Sequence, residues 1–155
     1  MEYKVRTIEP EELMERLPQL LQQVDSVPLI ISGNSMAPFL IHGRDTVYLS
    51  KITNPPKKGD IVLFRRRSGA YVLHRICAKR NDTYDLVGDG QVGVEPGIGM
   101  DQILAEVNAV RRKGRLLKKG GLCWTFYEKI WLGLLPVRPW IFRVYSRIKT
   151  RRNDK

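Results

Sequence analysis

From Pro28 to Val110 short apolar runs alternate with clusters of Gly, Pro, Asp and Ser, and this punctuation limits the fold more than any other feature of the chain. Leu29-Ile30-Ile31 leads into a turn bounded by Gly33 and Pro38. Asp45-Thr46-Val47-Tyr48-Leu49 alternates in polarity. Pro55-Pro56-Lys57-Lys58-Gly59-Asp60 reads as a turn, and Ile61-Val62-Leu63-Phe64 follows it. Ser68-Gly69 marks a hairpin whose return strand is Tyr71 to Cys77; Thr83 to Val87 and Ile103 to Val110 are further strands. Runs this short, so often broken by turn residues, form strands that pair with near neighbours. The expected fold is mainly β, an antiparallel domain carrying a short N-terminal helix and a C-terminal amphipathic helix.

The flanks read differently. Pro10-Glu11-Glu12 opens a helical pattern, since proline suits a first turn and carboxylates there complement the helix dipole. Leu13, Leu17, Leu20, Leu21 and Val24 are expected on one face, with Pro18 kinking or splitting the helix. From Leu122 the period is helical again. Trp124, Tyr127, Trp131, Leu134 and Leu135 form one stripe, and Ile141, Val144, Tyr145 and Ile148 a second, with Arg143 and Arg147 off it. Three segments follow: 1–26 helical, 27–118 a β domain, and 119–155 a basic helical segment with a tail.

Charge separates the last of these from the rest. Residues 111–155 hold 14 Lys/Arg against 2 Asp/Glu, whereas residues 1–110 hold 13 against 14. Such a segment seeks anionic partners, a lipid surface or nucleic acid. From Leu122 on the longest uncharged run, Ile130 to Val137, is far short of the ~20 residues a spanning helix needs, while Trp and Tyr flanked by Arg and Lys suit the membrane interface. Packing of 122–148 onto the β domain, with a solvated tail, is the competing expectation. No secretory leader is read in residues 1–25, so the expected location is cytoplasmic or peripheral to a membrane. Cys77 and Cys123 make neither a disulfide framework nor a metal motif.

Two residues carry candidate chemistry. Ser35 lies in Ser32-Gly33-Asn34-Ser35-Met36-Ala37-Pro38, and His74 follows 39 residues later in Tyr71-Val72-Leu73-His74-Arg75-Ile76. A serine hydroxyl becomes a nucleophile only beside a base, and imidazole takes a proton near neutral pH. Gly33 admits close backbone approach, Met36 packs inward to hold the turn, and the Ser35 N–H is placed to donate to a developing oxyanion. Each residue also has a plain reading: serine populates turns for conformational reasons, and a strand histidine is commonly a packed or surface residue. The other histidine, His42, reads as a surface loop residue.

Four segments in order resemble the signal peptidase I and LexA-type serine peptidases (the S24/S26 superfamily). Gly33 with Ser35-Met36-Ala37-Pro38 resembles the nucleophile box. Gly59-Asp60-Ile61-Val62-Leu63-Phe64 is similar to the next box, Tyr71 to Ile76 to the box that carries the general base, and Gly88-Asp89-Gly90-Gln91 to a Gly-Asp-Asn box. The resemblance covers roughly residues 28–110. It implies a serine endopeptidase without cofactor that cleaves a peptide or precursor protein beside small residues. Where many relatives place lysine this chain has His74, as in the endoplasmic-reticulum and archaeal type, which implies a Ser35–His74 dyad. Asp89, with Asp101 behind it, is the implied third member; a purely structural role for Asp89 in its turn stands beside that one.

The departures are specific. Gly33 replaces a serine hydroxyl that assists the oxyanion in some relatives, so backbone donors around Gly33, Ser35 and Met36 must suffice. Gly90 replaces the usual asparagine. The serine- and arginine-containing segment of bacterial signal peptidases is not read after Gly88-Asp89-Gly90, and an N-terminal anchor like theirs is not expected from residues 1–25. The alternative is a non-catalytic LexA-like regulatory or binding module, although 26 residues are too few for a helix-turn-helix domain. Its basic tail would then contact membrane or nucleic acid; phosphate contacts need no recognition motif, and none is present.

Overall fold

The computed structural model describes residues 10–153. Eight strands form one sheet, and every neighbouring pair in it is antiparallel. The fold is therefore mainly β, with a helix before the sheet and a helical segment after it, as expected. The strands are β1 (Val27–Ile30), β2 (Thr46–Ser50), β3 (Ile61–Arg65), β4 (Tyr71–Arg80), β5 (Thr83–Val87), β6 (Glu95–Gly99), β7 (Ile103–Arg112) and β8 (Arg115–Lys118). The sheet runs β1-β2-β7-β3-β4-β5-β6, with β8 paired to β7.

β3 shows why the sheet sits where it does. Ile61, Val62, Leu63 and Phe64 are all buried, an unbroken apolar run where an amphipathic strand would alternate. Both of its faces are covered. Ile61 and Leu63 belong to a larger core with Val47, Leu49, Val107 and the helices; Val62 and Phe64 belong to a smaller one with Ile76, Leu86 and Ile103. Strands covered on both sides read in this way.

Two strands are absent from the expectations above. β6 is Glu-Pro-Gly-Ile-Gly, a composition that reads as loop. It lies at an edge of the sheet, where a proline costs no ladder bond. β8 is short and basic, and it follows β7 through a Lys113-Gly114 turn in which both residues have positive φ.

The first helix, α1, runs from Pro10 to Gln23 and continues through Pro18. Met14, Leu17 and Leu21 are buried against the larger core on both sides of that proline, and this anchoring offsets the lost backbone bond. Val24 lies beyond the helix and is 49% exposed, so it is not part of the buried face.

After the sheet, α2 (Leu122–Thr125) passes into a π-helical turn, Phe126–Trp131. Trp124 and Tyr127 reach the larger core and pack on Phe39, with ring centroids 5.7 and 4.6 Å away. A 3₁₀ turn, Leu135–Val137, then leads into α3, Arg138–Asn153. Packing of this region on the domain therefore holds for its first part. Along α3, Ile141 and Val144 are half-buried, whereas Tyr145 and Ile148 are exposed.

Candidate active site

Ser35 stands in an irregular turn between β1 and β2. Met36, Phe39 and Leu40 anchor that turn by inserting into the larger core. The Ala37 N–H donates to the Asn34 carbonyl at 3.1 Å, and the Leu40 N–H to Met36 at 2.9 Å. Gly33 has φ 83°, with nothing near the position a Cβ would take, so glycine is required there for backbone conformation alone. Its N–H is already used, donating to Nδ1 of His42 at 2.9 Å. Gly33 therefore cannot serve as an oxyanion donor in this arrangement. The amides of Ser35 and Met36 make no hydrogen bond within the described residues.

The Gly88-Asp89-Gly90 loop lies directly beneath this turn. The Gly90 N–H donates to the Ser35 carbonyl at 2.8 Å. A Cβ on Gly88 would overlap that same carbonyl oxygen, and one on Gly90 would sit 2.7 Å from the Ala37 oxygen. Neither glycine is in the left-handed region, so each is needed for close approach. This gives Gly90 a physical reason in place of asparagine.

Asp89 is fully buried, and its carboxylate is gripped by Arg75. Nε and Nη2 of the guanidinium donate to Oδ1 and Oδ2 at 2.9 and 2.8 Å. Arg75 also donates through Nη1 to the Gly59 carbonyl at 2.8 Å and lies over the Phe39 ring. The Gly59-Asp60, His74-Arg75 and Gly88-Asp89 segments are thus joined by one buried arginine.

The C-terminal segment closes the loop from outside. Trp131 Nε1 donates to the Asp89 carbonyl at 2.8 Å. Arg138, fully buried, donates through Nη1 to the carbonyls of Gly88 and Gln91 at 3.0 Å each, and through Nη2 to Trp131 at 3.1 Å. Among the described residues no carboxylate pairs with it directly. Burial lowers its pKa, with Asp89 opposing that through space.

His74 lies on β4 opposite Val62, and its ring packs near Phe64 at 5.9 Å. It is buried. Nδ1 makes no hydrogen bond and lies 3.4 Å from Oε1 of Glu95. Glu95 is itself paired with Arg66, whose Nε donates to Oε2 at 2.8 Å while Nη2 meets Oε1. Burial holds the His74 pKa below the ordinary imidazole value. Glu95 opposes that shift, Arg66 reinforces it, and Asp89 opposes it more weakly. The acid beside His74 is therefore Glu95, and Asp89 acts on the imidazole only at a distance. Asp101 is exposed on the 3₁₀ turn Met100–Gln102 and contributes nothing to the charge around His74.

Ser35 and His74 line one cleft of about 300 Å³, together with Ser32, Met36, Arg66 and Gln91. Ile31, Ser32, Tyr71 and Leu73 are shared with a second hollow of about 620 Å³ that runs on toward α1 past Leu29 and Leu63. The two make a continuous groove, polar beside Ser35 and His74 and more apolar toward Leu29, Leu63 and Leu73. Its walls are unusual in having free strand edges. Among the described residues β1 pairs only with β2, and Tyr71 to His74 pair only with β3, because β5 joins β4 from Arg75 onward. An extended chain lying in the groove meets unpaired backbone groups on both sides, the setting for strand addition.

Glu95, Arg66 and Arg138 had no signal in the sequence. Glu95 sits in a Val-Glu-Pro-Gly stretch, Arg66 in a run of three arginines, and Arg138 in a basic segment. Comparison of the chain with protein-family models, curated proteins and solved structures gave no match.

Proposed function

We propose that this protein is a serine endopeptidase of the signal-peptidase-like type, with Ser35 as nucleophile and His74 as general base. The observation that supports this most is that both residues line one cleft, although no hydrogen bond joins them. They are 39 positions apart, yet they line one cleft at the end of a groove with unpaired strand edges.

The chemistry follows from the surroundings. Nδ1 of His74 faces Glu95, which leaves Nε2 for the Ser35 hydroxyl. As Oγ bonds to the scissile carbonyl carbon, its proton passes to Nε2. The carbonyl oxygen becomes an oxyanion, and the unused N–H groups of Ser35 and Met36 are its donors. When the C–N bond breaks, the imidazolium returns its proton to the leaving amine. Water then attacks the acyl-Ser35 ester with His74 again as base and releases the acid. Glu95 stabilises the imidazolium in both half-reactions. The substrate is a peptide in extended conformation, with apolar side chains toward Leu29, Ile31 and Leu73.

Ser35→Ala and His74→Ala are each expected to lower cleavage of a degenerate peptide mixture, read by mass spectrometry, by about 10³-fold or more. A fluorophosphonate should add to Ser35 in the parent protein and not in His74→Ala. Cleavage retained in both variants, or labelling that ignores His74, would overturn the proposal in favour of a module without turnover.

The pH dependence has a definite sign. A base whose pKa is lowered by burial is already neutral at pH 7, so kcat/KM is expected to rise through a limb below the ordinary imidazole pKa and stay flat above it. Glu95→Gln removes the charge that raises that pKa and releases Arg66, which lowers it. The limb should move further into acid, and kcat should fall. A limb that stays in place or moves up would exclude Glu95 as the partner. Stability follows the same linkage. The neutral imidazole is favoured in the folded state, so its contribution is complete above the unfolded pKa. It declines as pH falls from that value toward the folded one.

A further inference from the structure

We propose that the exposed face of α3 is a docking surface for an anionic lipid bilayer. The inference stands apart from the peptidase reading and holds whether or not Ser35 is a nucleophile.

The first half of α3 is tied to the domain, by Arg138 and by Phe142 against Trp131, whose rings are 6.2 Å apart, and Ile141 and Val144 are half-buried there. Beyond these contacts large apolar side chains face solvent: Trp140 and Tyr145 are each 66% exposed and Ile148 56%. With ~100° per residue, Trp140, Ile141, Val144, Tyr145 and Ile148 fall within an arc of about 140°, so they form one stripe along the helix. A solvated helix does not ordinarily place tryptophan, tyrosine and isoleucine on the same open side.

The charge around the stripe decides the occupant. The α3 sequence RPWIFRVYSRIKTRRN contains six Arg/Lys residues and no acid. At the same helical spacing Arg147 falls about 20° outside the arc beside Trp140, and Lys149 falls about 40° outside it beyond Tyr145. Long basic side chains there reach headgroup phosphates while their stems lie along the acyl boundary. Duplex or single-stranded nucleic acid would use the charges but leave the aliphatic part of the stripe in water. No helix among the described residues is long and apolar enough to cross a membrane, so the helix lies in the interface plane.

Flotation of the full chain with phosphatidylcholine vesicles, with and without one quarter phosphatidylglycerol, tests the assignment. Binding is expected to the anionic vesicles alone, weakening as salt is raised. The triple variant Trp140→Ser, Tyr145→Ser, Ile148→Ser alters only exposed side chains. It should keep the circular dichroism of the parent and lose at least ~10-fold in partitioning. Arg143→Gln with Arg147→Gln should lose most of the salt-sensitive part. Tryptophan emission should shift to the blue on vesicle binding, and the shift should disappear in Trp140→Phe. No flotation of the parent protein, or equal flotation of the triple variant, overturns the proposal. So does retention of a duplex oligonucleotide in place of the vesicles.

Discussion

Asp89→Ala is expected to destabilise the fold by about 3–5 kcal/mol, the usual cost of stranding one member of a buried ion pair. Arg75 is fully buried and both oxygens of Asp89 are committed to it, so removing the acid leaves a buried guanidinium without its counter-charge. Arg138 loses the same distant charge that offsets its own burial. The loss should appear in urea unfolding as a lower midpoint at unchanged slope. Replacing both partners, Arg75→Met with Asp89→Leu, should recover a large part of it, since two apolar groups of similar size need no desolvation. Recovery should be incomplete because Arg138 remains. A midpoint unchanged in Asp89→Ala, with activity lost, would show that the carboxylate works on the imidazole and not on the fold.

Gly88→Ala is expected to lower kcat/KM by about 10²-fold, because a displacement of about 1 Å at a nucleophile has an effect of that order. The added methyl group would overlap the Ser35 carbonyl oxygen, a backbone atom that cannot swing aside. Either the Gly88–Gly90 loop retreats or the serine turn rises, and the Gly90 N–H to Ser35 bond is lost in both cases. Overpacking of this kind also costs about 1–3 kcal/mol. Gly93→Ala is the control on the same loop, since nothing lies within 4 Å of its Cβ position and its φ is not in the left-handed region. Equal kcat/KM in the two variants would sink the idea that the glycine loop sets the height of Ser35.

The strands were legible where side chains alone decide the matter. Ile61 to Phe64 and Tyr71 to Cys77 carry their state in local composition. β6 and β8 do not, because an edge position tolerates Pro96, and a strand with only one neighbour needs few apolar residues. Pro18 does not split its helix for a related reason: burial of Leu17 and Leu21 outweighs a single missing bond.

Of the candidate site, the sequence marked the two residues proposed to react, Ser35 and His74. Its supporting charges were not legible. Asp89 drew attention as an acid in a turn, but His74 and Arg75 are successive residues on a strand and leave it on opposite faces. The imidazole packs near Phe64 in the smaller core, and the guanidinium over Phe39 in the larger. The carboxylate that Arg75 holds is on the far side of β4 from the base. Period two was enough to separate the pair, but only the tertiary fold could say which of them Asp89 would join. Glu95 reaches His74 through the pairing of β5 with β6, whose Leu86–Glu95 register depends on a strand with no sequence signal of its own.

The bracing of the Gly88–Gln91 carbonyls by Trp131 and Arg138 also sets an order in time. During synthesis from the N-terminus, a chain grown as far as β8 already holds Ser35, His74, Asp89 and Glu95. It lacks the two donors that fix the loop under the serine turn. The reactive groups are thus made early and the clamp that seats them late. A nascent chain, or one clipped after β8, would carry every reacting residue of the proposed enzyme on an unsecured platform.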